Sequence, residues 1–282
     1  MECMKIDGLE LAHDVRGAGD PVVFVHWGVS AWWAEPLWHE PALAEHFRLI
    51  TYHRAGFGGS DRAEDGISIA DHAEHCRLLM NRLGVTRAHL VGHSSSTAVV
   101  LQLALDAPDM AHTLTLLDAA RPMPRTETQQ AFTREVVAPA VAHYRAGNSE
   151  AAVDTWCRGV FGDGYRARLG PGVAGVLDDA LAHADTFFTQ ELPALQQWRF
   201  TEEEARRVDA PVLTVVGERS APTFPERREL LCRWLPNVEQ LDLPGATHLL
   251  HLENPRGAAK ALAAYFARHP IAMATRRRSE RS

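Results

Sequence analysis

The sequence predicts an α/β fold built on a largely parallel sheet, and two features carry that expectation. Short β-branched runs alternate with amphipathic helical stretches through the first 120 residues, and the alternation resumes after about residue 200. Between them lie about 80 residues with helical period and little strand signal, which read as a helical cap laid over the sheet. The expected division is a core of residues 1–120 and 201–269, a cap of residues 121–200, and a disordered basic tail of residues 270–282 containing Arg276-Arg277-Arg278.

The elements follow in order. Leu9–Arg16 has the β-branched and apolar content of an early strand and stops at a Gly17-Ala18-Gly19-Asp20-Pro21 turn. Val22–His26 and Arg48–Tyr52 are continuous apolar runs, as expected of strands buried on both faces. Ile69–Leu83 places Leu78, Leu79 and Leu83 on one helical face and stops at Gly84. A strand over Ala88–Gly92, a helix over Ser96–Ala107 and a strand over His112–Leu117 come next. In the cap, Phe132, Val136, Val137 and Val141 keep helical spacing, as do Trp156, Val160 and Phe161. The α/β pattern returns with Pro211–Val216 as strand, Pro225–Trp234 as helix, Val238–Leu243 as strand and Asn254–Arg268 as helix.

Composition excludes several classes of function. The 282 residues are 46% hydrophobic and 23% charged, enough to bury a core without staples. A net charge of −7 argues against a nucleic-acid surface, and no run approaches the length of a membrane span. The four cysteines, Cys3, Cys76, Cys157 and Cys232, are scattered without C-x-x-C spacing, which suits a reducing compartment. The start, MECMKIDGLELAHDV, lacks the apolar stretch of a secretion signal, so the expected location is cytoplasmic. There is no P-loop, dinucleotide fingerprint or metal-spacing motif, and no cofactor or metal is expected. The oligomeric state is left open, a homodimer among the options.

Leu90-Val91-Gly92-His93-Ser94-Ser95-Ser96 carries the chemistry. A buried strand runs into a helix through a turn that holds a serine two places after a glycine. That context lifts a hydroxyl clear of the sheet edge, and small flanking residues let the turn pack. Taken alone, the same pattern also suits a serine that caps a helix. Three further segments favour the nucleophile. Val23-Phe24-Val25-His26-Trp27-Gly28, Arg54-Ala55-Gly56-Phe57-Gly58-Gly59-Ser60 and Leu243-Pro244-Gly245-Ala246-Thr247-His248 resemble the H-G-x loop, the R-G-x-G-x-S turn and the late histidine loop of the α/β-hydrolase superfamily. The chain departs from the usual pattern with Ser96 at the second glycine of G-x-S-x-G and Trp27 at the glycine of H-G-x.

The resemblance implies an α/β-hydrolase sheet flanked by helices, with the cap inserted after the sixth strand. It also implies a serine nucleophile at Ser94, a base at His248, and an oxyanion hole made by the amides of Gly28 and Ser95. His251 competes with His248; His89 and His112 fall at the wrong strand ends. His93, beside the nucleophile, is expected to point away. His26 and the Arg54 turn are expected to be structural.

The acid departs from the common pattern, which places an aspartate where this chain has Ser220. Asp118 is the replacement. The Ser96–Ala107 helix descends about 18 Å at 1.5 Å per residue, and the following strand climbs back about 20 Å at roughly 3.3 Å per residue. Asp118 thereby returns to the sheet edge that carries Ser94. Members of the zearalenone-lactonase type resemble this arrangement, with glutamate at the corresponding strand end. Glu218 is the alternative acid.

Aromatic residues crowd both sides of the expected site. Trp27, Trp32, Trp33 and Trp38 follow the first site-edge strand, and Trp156, Phe161, Phe187, Phe188 and Trp198 lie in the cap. Trp27, Trp32, Trp156, Phe187, Phe188 and Leu249 are the candidate pocket residues, suited to an apolar or aryl substrate. The expected activity is hydrolysis of a small apolar ester or lactone through a Ser94-His248-Asp118 triad. A non-catalytic ligand-binding protein on the same fold, and a carbon–carbon bond hydrolase with the same triad, are the alternatives.

Overall fold

A computed structural model describes residues 1–120, 126–169 and 175–272. Eight strands form one sheet: β1 (Glu2–Ile6), β2 (Leu9–Arg16), β3 (Asp20–Val25), β4 (Phe47–Tyr52), β5 (Ala88–His93), β6 (Ala111–Leu117), β7 (Val212–Gly217) and β8 (Val238–Leu243). Their order is β1-β2-β4-β3-β5-β6-β7-β8. The first two strands pair antiparallel and the rest run parallel. β5 and β7 are buried along their whole length, because helices cover both faces of the parallel part.

The expected elements are present, with ends shifted by a residue or two. β1 is the strand not anticipated. Only Ile6 of it is buried, so its apolar signal is nearly absent. The local signal was instead the two-residue turn Asp7-Gly8, whose φ angles of 47° and 87° suit a tight hairpin.

The helices between β6 and β7 run from Glu127 to Ala205. Prolines inside them do not end the helices. Pro139 and Pro193 each follow a widened π turn, over Thr133–Val137 and Phe187–Glu191. Widening the turn accommodates a residue that has no N–H and crowds the preceding turn. The cap boundary at residues 121–125 lies outside the described residues, as does Arg276-Arg277-Arg278. The Ile271 amide donates to Asp20 Oδ2 at 2.8 Å, so the chain just before residue 273 is tied to the start of β3. Among the described residues, no helix is long and apolar enough to cross a membrane.

A buried ion pair joins the inserted helices to the sheet. Arg54 reaches Glu191 with both terminal nitrogens, at 2.5 and 2.8 Å, and donates through Nε to the His26 carbonyl at 2.9 Å. Both side chains are fully buried. Gly56 permits the approach, since a Cβ there would lie 2.5 Å from Thr186 Cγ2. The His26 and Arg54 segments thus serve architecture. Arg54→Ala leaves the Glu191 carboxylate buried without its cation and should cost roughly 3–5 kcal/mol. Urea unfolding measures this; a loss below about 1 kcal/mol would show that water or His72 replaces the guanidinium.

Candidate active site

The sharp turn after β5 sets the position of Ser94. Its φ of 52° is left-handed, a strained value for a residue with a side chain. Hydrogen bonds hold it there: the Ser94 amide donates to Leu117 O at 3.0 Å, and the Ala120 and Thr97 amides each donate to Ser94 O at 3.2 Å. Gly92 makes the turn fit, because a Cβ there would meet Ser96 O at 2.8 Å and Thr97 Cα at 3.0 Å. Ser96, at the place usually held by glycine, strengthens the turn. Its hydroxyl accepts from the His93 amide at 2.9 Å and donates to Val25 O at 2.8 Å, which ties the turn to β3.

Asp118 is the first residue past β6 and is also left-handed, with φ 38°. Its side chain is fully buried. Oδ1 accepts from the Gly217 amide at 3.2 Å, while Oδ2 accepts from Ser220 Oγ at 2.6 Å and faces His248 Nδ1 at 3.0 Å. Glu218 is elsewhere: its Oε2 accepts from the Gly245 amide at 2.7 Å, on the exposed turn before His248. Ser220, dismissed as an acid on sequence, is a hydrogen-bond donor to the Asp118 carboxylate. Its signal was present, since it stands where the family usually carries the acid.

The His248 ring stacks on Phe224, with centroids 4.2 Å apart, and lies 4.3 Å from the His93 ring. His93 is not among the residues that line the cavity with Ser94, in keeping with the expectation that it faces away, but its contact with the His248 ring was not anticipated. Within this turn Ser94 takes the left-handed conformation and His93 does not, so His93 keeps the direction set by β5 and packs under the site. There it also meets His251 at 5.1 Å and Trp27 at 4.7 Å. His251, the competing base, is enclosed between His93 and Trp27. Burial and the neighbouring imidazoles push His93 well below the ordinary histidine range and His251 down to about 3, so both are neutral.

The Gly28 amide, on a residue with φ 65°, donates to Ser95 Oγ at 3.2 Å. Ser95 opens the helix over Ser96–Asp106, where the dipole favours negative charge. A cavity of about 930 Å³ is lined by Ser94, His248, Gly28 and Ser95, together with aromatic walls from Trp27, Trp33, Trp156, Phe161, Phe187 and Phe224. Three pocket candidates fall outside it. Trp32 meets His53 edge-on, Phe188 stacks on Tyr144, and Leu249 is buried in the core. Helical period could not tell the inward face of the insertion from its packed face, and Leu249, next to His248 in sequence, packs into the core cluster. Arg134, Arg199, Glu202 and Arg227 also reach the cavity wall, so it is not uniformly apolar.

Among the described residues, His93, Asp118 and His248 could bring three metal ligands within 4.8 Å of one another. The Asp118–His248 hydrogen bond and the ring contact of His93 already account for that closeness.

A family model described as the alpha/beta hydrolase fold matches residues 20–255. The chain belongs to the α/β-hydrolase family. Among its relatives is BpoC of Mycobacterium tuberculosis, provisionally named a non-heme bromoperoxidase, 27% identical over 279 residues that cover 92% of this chain and 98% of BpoC. A solved esterase from Thermogutta terrifontis superposes with a TM-score of 0.81 at 21% identity, covering 96% of this chain and all (100%) of the esterase. The enol-lactonase of Burkholderia xenovorans gives 0.80 at 20% identity, over 94% of this chain and 100% of its own. At such identities the two structures bear on the fold alone.

The buried histidines of this α/β-hydrolase family member make its stability depend on pH. Burial holds His26, His72 and His93 well below their usual range, His53 down to about 4, and His89 and His251 down to about 3. The unfolded chain protonates these groups near pH 6.5. Stability is therefore full above that value and falls as pH drops below it, because the unfolded state then binds more protons. The urea midpoint should decline between about pH 6.5 and 5, above the range where most carboxylates titrate. A constant midpoint over that interval would contradict the burial of these rings.

Proposed function

We propose that the chain is a serine hydrolase of carboxylic esters or lactones with an apolar or aryl group, acting through Ser94, His248 and Asp118. The observation that carries this reading is the buried carboxylate of Asp118, 3.0 Å from His248 Nδ1 in a cavity that also exposes Ser94. A buried carboxylate in that position keeps the proton on Nδ1 and leaves Nε2 as the base. As Ser94 Oγ bonds to the carbonyl carbon, its proton passes to His248, and the carbonyl electron pair moves onto oxygen. The amides of Gly28 and Ser95 receive that charge. Collapse expels the alkoxide, which takes the proton from His248, and leaves an acyl-enzyme. Water repeats the cycle and restores Ser94.

The aromatic walls favour a substrate whose body is apolar, and the helices between β6 and β7 serve as its cap.

Ser94→Ala should abolish turnover of p-nitrophenyl esters and remove labelling by a fluorophosphonate probe, with the fold intact by circular dichroism. A wild-type protein that neither turns over esters nor takes the label would point instead to a ligand-binding role. Asp118→Asn should lower kcat by about 10⁴-fold, while Glu218→Gln leaves it unchanged; the reverse outcome would transfer the acid to Glu218. Ser220→Ala should reduce kcat by about tenfold, the loss of one hydrogen bond of roughly 1.4 kcal/mol to the carboxylate.

A further inference from the structure

We infer that Asp179, a residue of the inserted helices, positions the loop that bears the Gly28 amide, so that the insertion governs acyl transfer itself. The inference rests on the reading of Gly28 as an oxyanion donor.

The loop leaves β3 at His26 and passes Gly28 and Ser30 before the short helix over Glu35–Trp38. Most of its contacts are aromatic. Trp27 packs on His93 and His251, and Trp33 meets Phe161 at 5.2 Å. Such contacts exclude water but set direction poorly, and the hydrogen bond from the Gly28 amide to Ser95 Oγ, at 3.2 Å, must yield when that amide turns to an oxyanion. From the insertion, Asp179 supplies a directional restraint that does not have to yield. Its Oδ2 accepts from Ser30 Oγ at 2.6 Å and from the Ala31 amide at 3.0 Å. Ser30 Oγ in turn accepts from the Trp32 amide at 3.3 Å. Ser30 is fully buried, and the Asp179 side chain is only 14% exposed.

The other carboxylate oxygen is held as well. Asp179 Oδ1 lies 3.2 Å from His183 Nδ1, one helical turn later, and this pairing raises the His183 pKa while the same bonds lower that of Asp179. An acceptor-only side chain is the kind that can take two loop donors and face a histidine at once. The contact spans 149 residues of sequence, from Ser30 to Asp179. The anchored hydroxyl is two residues past Gly28, so displacement at Ser30 carries over to the Gly28 amide. Oxyanion donors act at about 2.7–3.1 Å, and a shift of about 1 Å in such a position costs on the order of 10²-fold in rate.

The test uses the full-length protein and p-nitrophenyl esters. Asp179→Ala should lower kcat by about 10–100-fold with KM within about twofold. It should weaken an arylboronic acid, which forms a tetrahedral adduct on Ser94, by the same factor. Asp179→Asn retains an oxygen for Ser30 and Ala31 and should recover most of kcat. Ser30→Ala should lower kcat in the same direction, and the double variant Ser30→Ala with Asp179→Ala should be no worse than Asp179→Ala alone. If Asp179→Ala fails to fold, Ser30→Ala alone decides the matter. An unchanged kcat in Ser30→Ala, or a loss confined to KM, overturns the role of Asp179. Those outcomes need an active, fluorophosphonate-labelled wild type; an inactive, unlabelled one refutes the hydrolase reading instead.

Discussion

The buried carboxylate of Asp118 organises the site edge of this molecule. It stands at the end of β6 and accepts hydrogen bonds from the Gly217 amide at the end of β7 and from Ser220 just beyond, while facing the ring of His248 past β8. A negative charge buried this deeply is tolerated only when its oxygens are occupied by donors. Three adjacent parallel strands must therefore end at one level, and the register of β6, β7 and β8 brings this about. A slip of one residue in any of them would turn a donor away and leave the charge uncompensated.

Backbone strain is concentrated at the same edge. Among the described residues, three other than glycine have positive φ: Asp7, Ser94 and Asp118. The first belongs to a hairpin turn. The other two sit at the ends of neighbouring strands, and the chain between them closes on itself through bonds from Ser94 to Leu117 and from Ala120 to Ser94. Each such conformation costs about 1–3 kcal/mol. It persists because the flanking strands and the Ser96 hydroxyl leave the backbone no alternative path.

The inserted helices are part of this structure rather than an addition to it. Glu191 is paired with Arg54 beneath the cavity, and Asp179 grips the loop after β3. Both contacts place a carboxylate of the insertion against donors of the sheet domain in a buried setting, where geometry is tightly held. The aromatic cavity between the two parts is thereby bounded by groups that do not move independently.

Local pattern alone carried much of this. Runs of β-branched residues marked the inner strands, Gly92-His93-Ser94 marked the turn, and counting rise per residue along a helix and a strand returned Asp118 to the edge of Ser94. These features depend on near neighbours in the chain, which is why they were readable. What the tertiary structure decided involves side chains meeting across long separations. The His93 ring meets that of His248, Ser220 donates to Asp118, and Trp32, Phe188 and Leu249 pack away from the cavity. A helix or strand period says which residues share a face. Which face meets the substrate depends on how the insertion docks, and that is settled by buried pairs such as Arg54–Glu191, whose partners are 137 residues apart.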